Sequence, residues 1–152
     1  MIRFWLFSFR AAVSCSALLL ATGALAQTMP KVDLSIGLYR IQAEVAADEA
    51  TRELGLMNRP TMPQQAGMLF VFDSAQRYCM WMKNTLLPLS VAFMDEQGKI
   101  INVEDMQPQT ETSHCANSPA RYALEMNLGW FKAKGVKTGT SVKGLDRAPT
   151  SH

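Results

Sequence analysis

The chain has 152 residues, of which 48% are hydrophobic, and it carries 15 basic and 13 acidic side chains. This length suits one domain with a substantial core and is too short for two. The near balance of charge gives no electrostatic support for binding nucleic acid, so the sequence predicts no nucleic-acid partner.

The first part of the chain has the pattern of a secretory signal peptide. Arg3 and Arg10 supply positive charge, the apolar run 11–21 follows, and the triplet Ala24-Leu25-Ala26 offers the small residues of a cleavage site before Gln27. The alternative is a membrane anchor, but the apolar run is shorter than the roughly 20 residues that cross a bilayer. After cleavage, 13 basic and 13 acidic residues remain. We therefore expect a periplasmic or secreted protein with no stable membrane insertion.

The next part of the chain predicts two strands around a helix. Residues 39–45 alternate apolar and polar side chains, which is the period of a half-buried strand. Asp48 stands where a helix N-cap belongs, and the helical pattern continues to about Leu56. Arg59-Pro60 ends it, because proline disfavours helical backbone in the residue before it. Residues 67–72 are continuously apolar, as in a strand with both faces buried.

The second half predicts a series of short strands. Residues 95–99 form a hairpin turn in which Gly98 can take a positive φ, and residues 107–119 form an extended loop. Gly135 ends a short helix over 128–135, and the tail 146–152 is expected to fray. The strands predicted in this half are residues 78–82, 89–94, 100–106, 120–127 and 140–145.

This order of elements predicts the fold class α+β. Many short strands joined by hairpins, with two short helices, are typical of a mostly antiparallel β-sheet, here curled into a partial barrel. We expect a single domain over residues 27–145, after a signal peptide over residues 1–26.

Two cysteines, Cys79 and Cys115, remain after the leader is removed. In an exported protein an even pair predicts a disulfide. Closing a loop of this length would stabilise the fold by about 3–4 kcal/mol in the chain-entropy model. Two free thiols or a metal-binding pair are the alternatives. A redox enzyme is disfavoured because the chain has no Cys-x-x-Cys motif.

Several stretches resemble a known family. They are ATRELGLMNR with MPQQAGMLFVF, MWMKNTLLPLSVAFMDEQGKIINVEDMQP, and ARYALEMNLGWFKAKGVKTGTSV. Together they span about residues 40–142 and are similar to the domain-of-unknown-function family numbered 192. The resemblance implies a small, mostly β domain, often exported, with no established activity. Members of that family usually carry aspartate after the Pro-Leu pair, where this chain has Ser90.

The stretch MWMKNTLLPLSVAF places Lys83, Asn84 and Thr85 inside an apolar run. One interpretation is architectural. Pro88 cannot donate to a strand ladder, so the strand must break, and the Asn and Thr side chains can bond the backbone groups left over. The other interpretation is that the three polar groups converge at the mouth of an apolar cleft, as in small-molecule sites. We expect a division, with Asn84 structural and Lys83 functional.

The sequence favours a small exported binding or accessory domain. Its predicted ligand site consists of Trp81, Lys83, Asn84 and Thr85, with Arg59 as a second cation. Two cations and an indole would suit a small anionic or sugar-like ligand. The pattern predicts no cofactor and no metal ion, and we expect a monomer.

An uncharacterised hydrolase or lyase that uses the same cleft is the alternative function. Catalytic templates fit poorly, because after the leader only His114 and the terminal His152 are available as histidine bases. The neighbouring carboxylates Glu104 and Asp105 would point to opposite faces of a strand. A copper(I) site is a further alternative, since Met80 and Met82 would project from one face of a strand and thioethers are soft ligands.

Overall fold

The computed structural model describes residues 29–151. Within that range the chain forms nine strands and two short helices, with a 3₁₀ turn over Leu145–Arg147. The helices are α1 (Glu49–Leu54) and α2 (Trp130–Ala133). The strands are β1 (Lys31–Ile36), β2 (Tyr39–Ala46), β3 (Ala66–Gln76), β4 (Cys79–Met80), β5 (Leu89–Met94), β6 (Ile100–Met106), β7 (His114–Cys115), β8 (Ala120–Asn127) and β9 (Val142–Lys143). The predicted signal peptide lies outside the described residues.

Seven strands form one curled sheet in the order β6-β5-β8-β3-β2-β1-β9, and β4 pairs with β7 in a separate ribbon. The neighbours in the large sheet are antiparallel except for β2 and β3, which run parallel. A parallel pair needs a crossover connection, and α1 supplies it. The α+β class and the mostly antiparallel partial barrel predicted from the sequence are therefore confirmed.

Backbone hydrogen bonds join the starts of the two outermost strands, β6 and β9, each to the segment that precedes the other strand. The amide of Ile100, at the start of β6, donates to Thr140 O at 2.9 Å, and the amide of Gly139 donates back to Ile100 O at 2.8 Å. Val142 in β9 donates to Gly98 O at 2.8 Å. These bonds bring the two edges of the sheet close together, which gives the sheet the curl of a partial barrel.

The large sheet carries a hydrophobic core on each face. One cluster contains Leu124 and Met126, and the other contains Phe70, Val91 and Ala123. Because both faces are covered, every residue of β5 is buried, as is the stretch 67–72 of β3. The prediction of a strand buried on both faces at 67–72 is confirmed.

Helix α1 begins with a capping box. The Asp48 carboxylate accepts the Thr51 amide at 2.9 Å, and Thr51 Oγ1 accepts the Asp48 amide at 3.2 Å. The predicted N-cap is confirmed. The helix ends at Leu54, earlier than predicted, because Gly55 turns the chain with a φ of 46° well before Pro60 is reached.

Three local predictions differ from the structure. The strand predicted over 78–82 stops at Met80, where β4 loses its partner β7, and β7 itself lies inside the predicted loop 107–119. Strand β1 was not predicted, although Val32, Leu34 and Ile36 alternate. The tail after Leu145 was expected to fray, yet Arg147 donates to Asp33 O and Ser151 donates to Phe72 O. These bonds hold residues up to Ser151 against the sheet.

The β4–β7 ribbon carries the disulfide. Cys79 lies directly opposite Cys115 in the antiparallel register, and their sulfurs are bonded. The predicted disulfide is therefore present. Among residues 29–151, no helix is long and apolar enough to cross a membrane.

Candidate functional site

The break after β4 is a tight turn fastened to the loop that follows α1. Within the turn, the Thr85 amide donates to Met82 O at 3.0 Å, and Thr85 Oγ1 donates to Lys83 O at 3.3 Å. Asn84 adopts a φ of 54°, and its carbonyl accepts the Asn58 amide at 2.9 Å. The three polar residues in the apolar run therefore let the chain reverse and join a neighbouring loop.

The structure does not bring the predicted ligand-site residues to one cavity. Lys83 and Asn84 are exposed and line a hollow of about 270 Å³ together with Asn58. Trp81 and Thr85 instead line a different cavity behind the turn. Two contacts described here cross this division: Lys83 Nζ lies 5.2 Å from the centre of the Trp81 ring, and Thr85 Oγ1 donates to Lys83 O.

Arg59 is already paired with a carboxylate. Its Nη1 and Nη2 donate to Glu44 Oε1 and Oε2 at 2.6 and 2.7 Å, a bidentate ion pair between the loop and β2. These hydrogen bonds lower the pKa of Glu44, against the opposing effect of its partial burial, and raise the pKa of Arg59. Arg59 therefore does not supply a free positive charge to a ligand.

A larger cleft lies between α1, β3 and the disulfide ribbon. Its volume is about 480 Å³, within the usual range of small-molecule sites. Phe72 and Tyr78 stack on its wall, with ring centres 3.8 Å apart and planes inclined by 13°, and Cys79 and Met80 of β4 continue that wall. Trp81 stands at the cleft with 49% of its surface exposed.

The charged residues of this cleft are mostly acidic. Glu49, Glu53 and Asp73 line it, and the cation beside them is Arg52. The Arg52 guanidinium is engaged, because its Nη1 donates to Ala47 O at 2.8 Å and to Val71 O at 3.1 Å and lies 3.4 Å from Asp73. The cleft therefore presents carboxylates rather than a free cation.

A small chamber adjoins the cleft and has Glu125 in its wall. The chamber measures about 30 Å³, and Arg52, Glu53, Phe70, Met80 and Trp81 line both cavities. Glu125 lies in the central strand β8, opposite Met68 of β3 and Val91 of β5, and only 4% of its surface is exposed. Burial raises the pKa of its carboxyl from the ordinary value to about 8.

Sequence reasoning missed Glu125. In the stretch ARYALEMN the alternation marks Tyr122, Leu124 and Met126 as one apolar face, which leaves Glu125 on the face that a half-buried strand turns to water. In the structure β8 is a central strand with cores on both sides. The sequence signal for this burial was Ala123, an apolar residue two positions before Glu125 and therefore on the same face of β8.

Ser90 is bonded to the carboxylate of the neighbouring strand. Its buried hydroxyl donates to Asp105 Oδ1 and accepts the Gly129 amide at 2.8 Å, which ties β5 to β6 and to the start of α2. Asp105 thus supplies a carboxylate beside the position where the resembled family usually carries aspartate. The other member of the predicted carboxylate pair, Glu104, accepts a hydrogen bond from Asn102 at 3.3 Å.

The two methionines of the copper hypothesis are separated. Met80 is partly buried in β4 and lines the cleft, whereas Met82 lies after the strand and is fully buried in the core. The strand geometry on which the prediction of facing thioethers depended is therefore absent at Met82.

The fold and cavities together define a class: a small β domain, curled into a partial barrel, with a disulfide ribbon beside an acidic and aromatic cleft. The chain belongs to the family DUF192, described as "Uncharacterized ACR, COG1430", whose model matches residues 32–144. The family resemblance stated from the sequence motifs is thereby confirmed. No curated protein matches the chain.

The solved structures similar to this chain include two that are described here. One, from Sinorhizobium meliloti 1021, is described as a proposed transcription regulator. It is 34% identical with a TM-score of 0.75, and the match covers 78% of this chain and 96% of that one. The other, a protein of unknown function from Novosphingobium aromaticivorans DSM 12444, is 26% identical with a TM-score of 0.74 and coverages of 78% and 89%.

Proposed function

We propose that this protein is a small exported binding domain and that its ligand lies in the cleft of about 480 Å³ beside Trp81. The observation that carries the proposal is the half-exposed indole next to the stacked rings of Phe72 and Tyr78. A large aromatic side chain left half in water beside a concave apolar wall is typical of small-molecule sites.

The lining of the cleft favours a sugar-like ligand over an anionic one. An anion would meet Glu49, Glu53 and Asp73, with the Arg52 guanidinium already engaged. A sugar-like molecule can rest its apolar C–H face on an aromatic ring while its hydroxyls donate to carboxylates, which only accept when ionised. Lys83 approaches the Trp81 ring and supports the indole from outside the cleft.

Export is part of the proposal. The leader pattern over residues 1–26 and the Cys79–Cys115 disulfide both support a periplasmic or secreted location, because disulfides persist in oxidising compartments. We do not extend the transcription-regulator description of the S. meliloti protein to this chain. Without the leader the chain has 13 basic and 13 acidic residues, which gives DNA no electrostatic attraction.

The experiment is native mass spectrometry of the protein isolated from the periplasm of its host. We expect the wild type to carry a bound small molecule that Trp81→Ala loses. Leu38→Ala is the matched control, because Leu38 is 98% exposed at the β1–β2 turn and lines none of the cavities described above. Retention of the same molecule by Trp81→Ala, or its loss in Leu38→Ala, would contradict the proposal.

A second candidate is an enzyme, a hydrolase or lyase, in the same cleft. Glu125 favours it, because a buried carboxyl whose pKa is raised to about 8 can hold a proton at neutral pH and act as a general acid. The two candidates differ in time dependence. A binding domain returns the molecule unchanged after prolonged incubation, whereas an enzyme converts it.

A further inference from the structure

Glu125 carries a buried carboxyl in the central strand β8. Among residues 29–151 no hydrogen bond or ion pair is made by its side chain, although most buried carboxyls are paired. Its neighbours across the sheet, Met68 and Val91, are apolar and cannot serve it. The fold gains nothing from a carboxyl here, since an apolar residue would suit the surrounding core better.

Glu125 lines the small chamber, and the size of this chamber limits what can bind there. A volume of about 30 Å³ holds one small group, such as a water molecule or a single polar head group. The remaining wall combines apolar side chains with Arg52 and Glu53 of α1, and Thr85 contributes a hydroxyl that already donates to Lys83 O. A group entering the chamber therefore meets the carboxyls of Glu125 and Glu53, since Arg52 is already engaged by two carbonyls and Asp73.

The adjoining cleft specifies the charge of that group. Its carboxylates Glu49, Glu53 and Asp73 favour cations, and Arg52, which lines both cavities, is held by two carbonyls and Asp73. The aromatic wall next to Trp81 provides the apolar surface that an organic body needs. A ligand with a compact cationic head group and an organic body would place the head group in the chamber and the body in the cleft.

We propose that the chamber receives a primary ammonium group, with Glu125 as its counter-ion, and that the organic body of this amine lies in the cleft against Trp81. This inference rests on the proposed function, because it names the ligand class of the same site. An amino sugar or a small organic amine is the chemistry that fits.

Proton linkage gives the inference a measurable signature. The free protein holds Glu125 protonated below about pH 8, so an ammonium can pair with it only after the proton leaves. Binding at pH 6–7 must therefore release about one proton, and the affinity must rise about tenfold per pH unit up to about pH 8. The charged groups that face the chamber from α1 are Arg52 and Glu53, while β3 and β5 present only apolar residues opposite Glu125.

The experiment uses three probes that share one ring and differ in head group: benzylamine, benzyl alcohol and benzoate. Each is titrated into the full-length mature protein at pH 6, 7 and 8 by calorimetry in two buffers of different ionisation enthalpy, and the indole resonance of Trp81 reports the location. We expect benzylamine to bind most tightly, to tighten about tenfold per pH unit and to release about one proton at pH 6. Glu125→Gln should weaken it at least tenfold and abolish the proton release, whereas Glu96→Gln, an exposed turn residue, should change neither.

The outcomes separate this inference from the proposed function. If benzyl alcohol or benzoate shifts the Trp81 resonance but benzylamine binds no better, the cleft is a ligand site and the ammonium inference is wrong. If benzylamine binds with no pH dependence, or equally well to Glu125→Gln, the inference is also wrong. If none of the probes shifts the Trp81 resonance, the ammonium inference is wrong, and the native mass spectrometry of Trp81→Ala then decides the binding proposal separately.

Discussion

Three residues other than glycine take a positive φ within residues 29–151: Asn58 at 60°, Asn84 at 54° and Gln109 at 58°. All three line the hollow beside Lys83. Backbone bonds fasten them there, since the Asn58 amide donates to Asn84 O and the Gln109 amide to Thr85 O at 3.1 Å. Asparagine tolerates left-handed backbone better than most residues, so the role of Asn84 is to let the chain turn.

Replacing Asn84 tests this role. We expect Asn84→Ala to lower the free energy of unfolding by about 1 kcal/mol, because alanine is strained at this φ, and Asn84→Gly to cost less than Asn84→Ala. Lys83→Ala should change stability little, since Lys83 is exposed. Urea unfolding of the three variants measures this. An Asn84→Gly variant less stable than Asn84→Ala would contradict the backbone explanation.

Glu125 should make stability depend on pH. Its folded pKa of about 8 exceeds the ordinary value of 4.5, so between these values the folded state keeps a proton that the unfolded state releases. The contribution of Glu125 is then fully present below pH 4.5 and is lost progressively as the pH rises to about 8. We expect Glu125→Gln to gain stability over the wild type across this window.

Unfolding in guanidinium at pH 5, 6, 7 and 8 provides the measurement. The difference between Glu125→Gln and the wild type should grow with pH, while the difference between Leu38→Ala and the wild type should stay constant, because that substitution changes no ionisable group. Parallel pH profiles for the wild type and Glu125→Gln would show that the carboxyl is not held protonated.

At the scale of elements, the β4–β7 ribbon connects stability to the cleft. Two residues per strand are too few for independent stability, so the Cys79–Cys115 bond holds the pair together. Tyr78, Cys79 and Met80 form one wall of the cleft. The disulfide is thus both a crosslink of the chain and a support of the candidate binding wall.

Breaking the disulfide should therefore affect folding and binding together. We expect reduction, or the double variant Cys79→Ser/Cys115→Ser, to lower stability by about 3–4 kcal/mol, because the crosslink spans a separation of 36 residues. Guanidinium unfolding with and without dithiothreitol measures the loss, and the double variant controls for side effects of the reductant. An unchanged midpoint after reduction would contradict this expectation.

Elements with a clear local pattern were predictable. The alternation in β2, the apolar runs of β3 and β5 and the turn at Gly98, with its φ of 75°, follow from side-chain period and glycine chemistry. Features that depend on distant parts of the chain were not predictable. Examples are the parallel pairing of β2 with β3 and the end of β4 at Met80, where its pairing with β7 ends. The turn residues Lys83, Asn84 and Thr85 could be found because their pattern is local. Glu125 could not, because its burial depends on the neighbouring strands β3 and β5.

At the scale of the whole molecule, the outermost strands of the sheet are protected from pairing with another copy. β9 has only two residues, and the start of β6 is bonded to the segment before β9. Further along β6, Thr138 donates to Ile101 O, and Glu104 and Asp105 place charges on the strand. Short, covered or charged edges are the devices by which sheets avoid association.

We therefore expect a monomer in solution. Multi-angle light scattering should give a mass no greater than that of the 16.9 kDa chain at concentrations up to about 100 μM, because exposed charge and short edges disfavour strand addition. A Glu104→Val variant removes one edge charge and should associate more than the wild type. A dimeric wild type would contradict the expectation.

The order of strands in the sheet also determines when each strand can pair with its neighbours as the chain emerges. β3 ends at Gln76, but its antiparallel neighbour β8 begins only at Ala120, so β3 emerges long before that partner exists. Ribosomes add about 5–20 residues per second, and the delay is on the order of seconds. During that time the apolar stretch 67–72 has β2 on one side and a bare edge on the other. A holding chaperone that masks this stretch until β8 is available to pair would suit such a chain.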